Sequence, residues 1–95
     1  MIIDLLKFTV KDACAHDVIR AMKIQAEANR GDEGHVMTHV FQSKANPNEL
    51  YMLLGWENQE AVDKHLATEH DEVFRVSVDD KLAGPPAFFE WTQII

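Results

Sequence analysis

Five histidines in 95 residues are the first candidates for chemistry, because imidazole titrates near neutrality without help from its surroundings. His65 falls on an apolar helical stripe with Val62 and Leu66. His70 follows five residues later, where Thr68 and Glu69 interrupt the helical pattern. Five residues of straight helix turn by about 140°, so the two rings face different ways unless the chain breaks. A break at Thr68-Glu69 brings them to one cavity. Such a pair suits general acid–base work, and His65 and His70 are the catalytic candidates. A packing or capping role is the alternative for each.

The other chemistry-bearing residues point less clearly. His35 and His39 are four apart on an alternating strand, on one face but roughly 13 Å apart, too far to chelate one ion. His39 is kept as a substrate-binding candidate. His16, between Cys14 and Asp17, reads as a surface residue. No pair has metal-ligand spacing and there is no CxxC or HExxH, so no metal is expected. Cys14 lacks a nucleophile signature and reads as a buried small residue, while Ser43 and Ser77 have no GxSxG context. Asp4 interrupts the apolar face of a strand. It is either a buried base with a raised pKa or an edge or hydrogen-bonded carboxylate. Trp56, Trp91 and Phe89 suit the wall of a flat aromatic site, or ordinary core. Gly31 and Gly34 are spaced wrongly for a phosphate cradle and precede a strand, so no nucleotide cofactor is expected.

These residues sit on a simple succession of elements. Residues 1–10 are apolar and β-branched, broken only by Asp4 and Lys7, and predict a strand. A helix runs from about Asp12 to Asn29, with Val18, Met22, Gln25, Ala26 and Asn29 at helical spacing, and Gly31 and Gly34 stop it. Residues 35–43 form a second strand, with Val36 and Val40 on one face and Met37 and Phe41 on the other. Ala45-Asn46-Pro47-Asn48 is a turn, and residues 49–57 make a third strand that is apolar on both faces. Asn58 caps a helix from Gln59. After the break a further helix runs from about Asp71 to Leu82, with Phe74, Val78 and Leu82 four apart. Gly84-Pro85-Pro86 ends it, and residues 87–95 form the fourth strand. The order β-α-β-β-α(α)-β is the ferredoxin-like α+β plan with a four-stranded antiparallel sheet, in a single domain over residues 1–95.

Composition narrows the function classes. Hydrophobic residues at 46% and charged ones at 26% are ordinary for a globular chain. The net charge of -7 repels phosphate backbones and anionic lipid, so neither nucleic acid nor membrane is an expected partner. One cysteine makes no internal disulfide, no apolar run is long enough to span a bilayer, and the start does not read as a signal peptide. A cytoplasmic protein is expected. Helices of this plan cover one sheet face only, yet the strands carry apolar residues both ways. Leu6, Phe8 and Val10 stand against Ile3 and Leu5 in the first, and Leu50, Met52, Leu54 and Trp56 against Tyr51 and Leu53 in the third. In the last, Phe89, Trp91 and Ile95 stand against Phe88 and Ile94. The second apolar face would meet water. A homodimer with the two sheets face to face closes it most simply.

The quoted residues resemble the antibiotic biosynthesis monooxygenase family over nearly the whole chain. Asn46-Pro47-Asn48, Trp56-Glu57-Asn58-Gln59-Glu60-Ala61, His65-Leu66-Ala67-Thr68-Glu69-His70 and Leu82-Ala83-Gly84-Pro85-Pro86 follow the family pattern W-x-x-x-x-A-x-x-x-H-x-x-T-P-H in spacing. The resemblance implies a dimeric α+β barrel with a pocket between sheet and helices in each subunit. It also implies a cofactor-independent oxygenase that deprotonates a small aromatic or quinol and lets the anion meet O2. On that reading His65 and His70 are base and orienting donor, and Trp56 and Phe74 form the wall. Glu69 replaces the usual proline, and Asp12-Ala13 stands where many relatives have Pro-Gly. Thr38 replaces a common aromatic. His65 and Arg75 stand where the haem-degrading branch has tryptophan and histidine, which disfavours haem chemistry. Two alternatives remain: a non-catalytic small-molecule binding or stress-response module, and an isomerase or lyase on a phosphorylated metabolite held by Lys64, Arg75 and Lys81.

Overall fold

The two most apolar runs of the sequence become the two central strands, because only central positions bury both edges of such a strand. The computed structural model describes residues 1–95. Its elements are β1 (Ile2–Thr9), α1 (Ala15–Asn29), β2 (His35–Gln42), β3 (Glu49–Trp56), α2 (Gln59–Leu66), α3 (Glu69–Asp79) and β4 (Ala87–Thr92). They form one antiparallel sheet in the order β2-β3-β1-β4, the ferredoxin-like α+β arrangement expected from the sequence. No helix is long and apolar enough to cross a membrane.

Alternation sorts the strands by face. Phe8 of β1 and Leu50, Met52, Leu54 and Trp56 of β3 turn toward the helices and are buried there. Val18 and Met22 of α1, Val62 of α2, and Phe74 and Val78 of α3 pack down on them, with Leu82 closing the end. The helical spacing of Val18, Met22, Gln25 and Asn29 buries all four, two of them polar. On the opposite face Phe41, Phe89 and Trp91 are 52%, 49% and 50% exposed. No helix covers that face, so an apolar surface is left in water.

Three joints place the functional residues. Asn58 caps α2, its Oδ1 accepting the Ala61 N–H at 3.0 Å. Thr68 works in both directions at the helix break: its hydroxyl donates to the His65 carbonyl at 2.7 Å and accepts the Asp71 N–H at 3.3 Å. One side chain thus ends α2 and starts α3. Gly34 has φ +78°, and a Cβ there would lie 2.5 Å from that of Ala61. Only glycine lets the turn after α1 lie flat against α2.

Beyond a later start of α1, at Ala15 rather than Asp12, and an earlier end of α3, at Asp79 rather than Leu82, the expected elements differ from the observed ones at three places. A register shift between His35 and Met37 inserts an extra residue into β2. Val36 is left 49% exposed, while Val40 still packs against the core. The shift also breaks parity between the two strand histidines, so His35 pairs with Trp56 and His39 with Leu53, on opposite faces. The second part of the broken helix starts at Glu69 rather than Asp71, because Thr68 supplies the cap. Strand β4 stops at Thr92, leaving Ile94 and Ile95 exposed beyond the last ladder partner.

Candidate active site

A cavity of about 760 Å³ opens between the sheet and the α2–α3 pair, within the size range of small-molecule sites. Its apolar walls include Leu6, Met52, Leu54, Trp56, Phe74 and Val78, and its polar edge carries Asp4, Glu90, His65, Asp71 and Arg75. Strand alternation explains why Asp4 is here. It shares the helix-facing side of β1 with Phe8, and its cross-strand neighbours are Leu54 and Glu90.

Asp4 is the most perturbed group in the cavity. Its carboxyl is pushed up to about 7, first by burial, then by sharing a hydrogen bond with Glu90 and by repulsion from that second carboxylate. The positive charge of His65 works against the rise. Asp4 is 6% exposed, and its Oδ1 has no hydrogen-bond partner. An acid poised near neutrality on the wall of an apolar cavity can take a proton from a weakly acidic hydroxyl.

A second cluster forms at the helix break. Asp32, in the turn held down by Gly34, reaches both catalytic candidates. Its Oδ2 lies 2.7 Å from His65 Nδ1 and its Oδ1 lies 2.8 Å from His70 Nε2. The far nitrogens also face acceptors. His65 Nε2 is 3.4 Å from Asp71 Oδ1, and His70 Nδ1 is 3.3 Å from Gln25 Oε1. Asp71 in turn accepts from Arg75 Nε at 3.0 Å. The His65 ring lies over Trp56, centroids 4.5 Å apart and planes tilted by 35°. Burial alone would lower the His65 pKa, but hydrogen bonds and charge from Asp71 and Asp32 outweigh it and raise it. The Asp71 carboxyl is lowered: burial opposes the shift, while His65 and Arg75 drive it.

The site residues expected from the sequence divide accordingly. His65 and His70 are brought together, with ring centroids 5.5 Å apart, as the break at Thr68 allows. They open on different spaces, however. His65 lines the cavity under the sheet, whereas His70 lines a groove of about 720 Å³ between α1 and α3. Trp56 and Phe74 are in the cavity wall as expected. His39 is not brought to the cavity: its pairing with Leu53 turns it to the uncovered face, beside Phe41 with centroids 6.4 Å apart. Trp91 and Phe89 lie on that same face, stacked at 6.0 Å. The three cations of the phosphorylated-metabolite alternative do not converge. Lys64 is held by Glu33 and Glu60, Arg75 by Asp71, and Lys81 lines the other groove.

Sequence reasoning missed Asp32, Gln25, Asp71 and Glu90. Gln25 and Asp71 carried a readable signal, since each is a polar residue on a helical stripe that is otherwise buried. Asp32 lies 33 residues before His65 in an ordinary turn, and no local pattern links the two.

A family model described as antibiotic biosynthesis monooxygenase matches residues 1–75. No curated protein matches the chain. Among solved structures, a Nitrosomonas europaea protein provisionally named an antibiotic biosynthesis monooxygenase superposes with a TM-score of 0.95 at 18% identity, over 100% of both chains. A conserved protein from Methanosarcina mazei gives 0.92 at 22% identity, over 98% of this chain and 92% of that one. A Mycobacterium tuberculosis protein gives 0.92 at 16% identity, over 99% and 95%. At these identities the likeness is one of fold.

The raised carboxyl has a consequence for stability. Because the folded chain holds the Asp4 proton more tightly than the unfolded chain, the gain is full below the ordinary carboxyl range and is lost as pH climbs through about 7. Asp4→Asn removes that loss. Denaturant midpoints at about pH 4 and about pH 8 check it: the variant should gain on the parent chain as pH rises, and an equal difference at both ends contradicts the burial of an ionisable Asp4.

Proposed function

Because the chain belongs to the antibiotic biosynthesis monooxygenase family, we propose that it oxygenates a small ring-hydroxylated aromatic, of the quinol or anthrone type, in the cavity between sheet and helices. The observation that carries this reading is Asp4, whose carboxyl is held at about 7 in the cavity wall. The family membership supports the reaction class, and the geometry supports the residue roles.

Asp4 takes the hydroxyl proton, leaving an electron-rich phenolate against Leu54, Met52 and Phe74. One electron passes to O2, the resulting radical pair joins at a ring carbon as a peroxide anion, and Asp4 returns its proton to give the hydroperoxide. Loss of that carbon's proton breaks the O–O bond, leaving one oxygen as a carbonyl and releasing the other as water. The substrate supplies every electron, so no reduced cofactor enters the balance. With both nitrogens facing carboxylates, His65 acts as a fixed wall stacked on Trp56 rather than as a free base. His70, in the other groove, positions Asp32.

The uncovered sheet face is proposed to meet the same face of a second copy, burying Phe41, Phe89 and Trp91. An apolar surface of this extent is unusual on a monomer, and a two-fold pairing satisfies both chains with one contact. Sedimentation at micromolar concentration should give twice the chain mass, and Trp91→Glu should shift it toward the single chain. A monomer in the unmodified protein overturns the pairing.

Oxygen uptake with an anthrone or a naphthohydroquinone tests the reaction. The rate above the uncatalysed background should rise with pH through about 7 as Asp4 ionises, and Asp4→Asn should lower it by about 100-fold or more, the usual range for a general base. Unchanged uptake in the variant removes Asp4 from the reaction. Thermal stabilisation by the quinol with no oxygen uptake contradicts catalysis and leaves a binding module.

A further inference from the structure

We propose that Asp32, His65 and His70 form a binding site for a first-row divalent metal ion of the zinc class. This goes beyond the oxygenation reading and does not depend on it. One ligand atom from each residue lies within 4.8 Å of the others, although the residues come from three separate places: the turn after α1, the end of α2 and the start of α3. Two imidazoles and one carboxylate suit zinc, cobalt or nickel, whereas calcium and magnesium prefer oxygen alone.

The surroundings of the three residues carry the inference further than their proximity does. A metal-bound histidine is normally oriented by an acceptor on its other ring nitrogen. Both rings have one. His65 Nε2 faces Asp71 Oδ1 at 3.4 Å, and His70 Nδ1 faces Gln25 Oε1 at 3.3 Å. Gln25 and Asp71 are themselves buried, 3% and 7% exposed. Those outer contacts leave His65 Nδ1 and His70 Nε2 pointing inward at the two oxygens of one carboxylate.

The spacing is close to what an ion requires. Metal–nitrogen bonds of about 2.0–2.1 Å place tetrahedral ligands about 3.3 Å apart. The ligand atoms now lie within 4.8 Å of one another, with the Asp32 oxygens 2.7 and 2.8 Å from the ring nitrogens. Entry needs the rings to close on each other and the carboxylate to draw back slightly. The His70 side chain, 28% exposed at the rim of the α1–α3 groove, has room to make that movement. Three protein ligands leave a fourth position for water or a small anion, as in open zinc sites.

Calorimetric titration of the chelator-treated chain with Zn2+ tests the site, with cobalt absorption reporting coordination. One ion per chain should bind with micromolar affinity or better, and Co2+ should give the intense visible bands of a four- or five-coordinate site. His70→Gln should abolish both signals. Gln25→Met should weaken Zn2+ binding by about 10-fold, the lower end for loss of an outer-shell partner, while His39→Ala leaves it unchanged. Melting curves without metal establish that each variant is folded. Absence of saturable binding at 100-fold excess of ion overturns the proposal, and so does binding that survives His70→Gln. Neither outcome bears on oxygen uptake through Asp4.

Discussion

One carboxylate, Asp32, holds the candidate site together. It is the group hydrogen-bonded to both His65 and His70, and through them it ties the turn after α1 to the junction of α2 and α3. The junction itself depends on the double duty of Thr68, and the turn depends on a glycine that leaves space for Ala61. Remove the carboxylate and the His65 ring, 6% exposed, would face Asp71 alone. Losing one of its two acidic partners leaves a buried ring nitrogen without an acceptor, a loss of about 1–3 kcal/mol. The wall of the cavity is therefore built by electrostatics as much as by apolar packing.

The two polar centres of the cavity have opposite characters. Around His65, two acidic partners favour the charged ring. Around Asp4, apolar neighbours and a second carboxylate favour the neutral acid. Groups pushed in opposite directions by their surroundings are the usual mark of divided acid–base roles. Here the division is between a ring that is held and an acid whose Oδ1 is unpaired. Sheet alternation puts Asp4 on the helix-facing side of β1, and the cross-strand register puts Glu90 beside it.

Much of the fold was legible in the sequence, since long apolar strands and a helical stripe of Val18, Met22, Gln25 and Asn29 leave little freedom in how the chain is laid out. Asn58 as a cap and Thr68 as a break were also readable, because both act within three residues. What was not readable depended on contacts across the fold. The bulge at Val36 reverses the parity on which His39 was placed, and nothing in the local alternation signals an extra residue there. The partnership of Asp32 with His65 and His70 spans 33 and 38 residues. Asp4 stood out as a charge in an apolar strand. Its raised pKa, however, comes first from burial under the helices and then from Glu90, which only the pairing of β1 with β4 brings near.

The most direct measurement is a crystal structure of the chain with a non-oxidisable quinol analogue. The ligand is expected under the sheet, with a hydroxyl within about 3 Å of the Asp4 carboxylate, a normal hydrogen-bond distance, and its ring against Leu54 and Phe74. A ligand seated only in the groove between α1 and α3, or on the uncovered face of the sheet, would contradict the assignment of the active cavity.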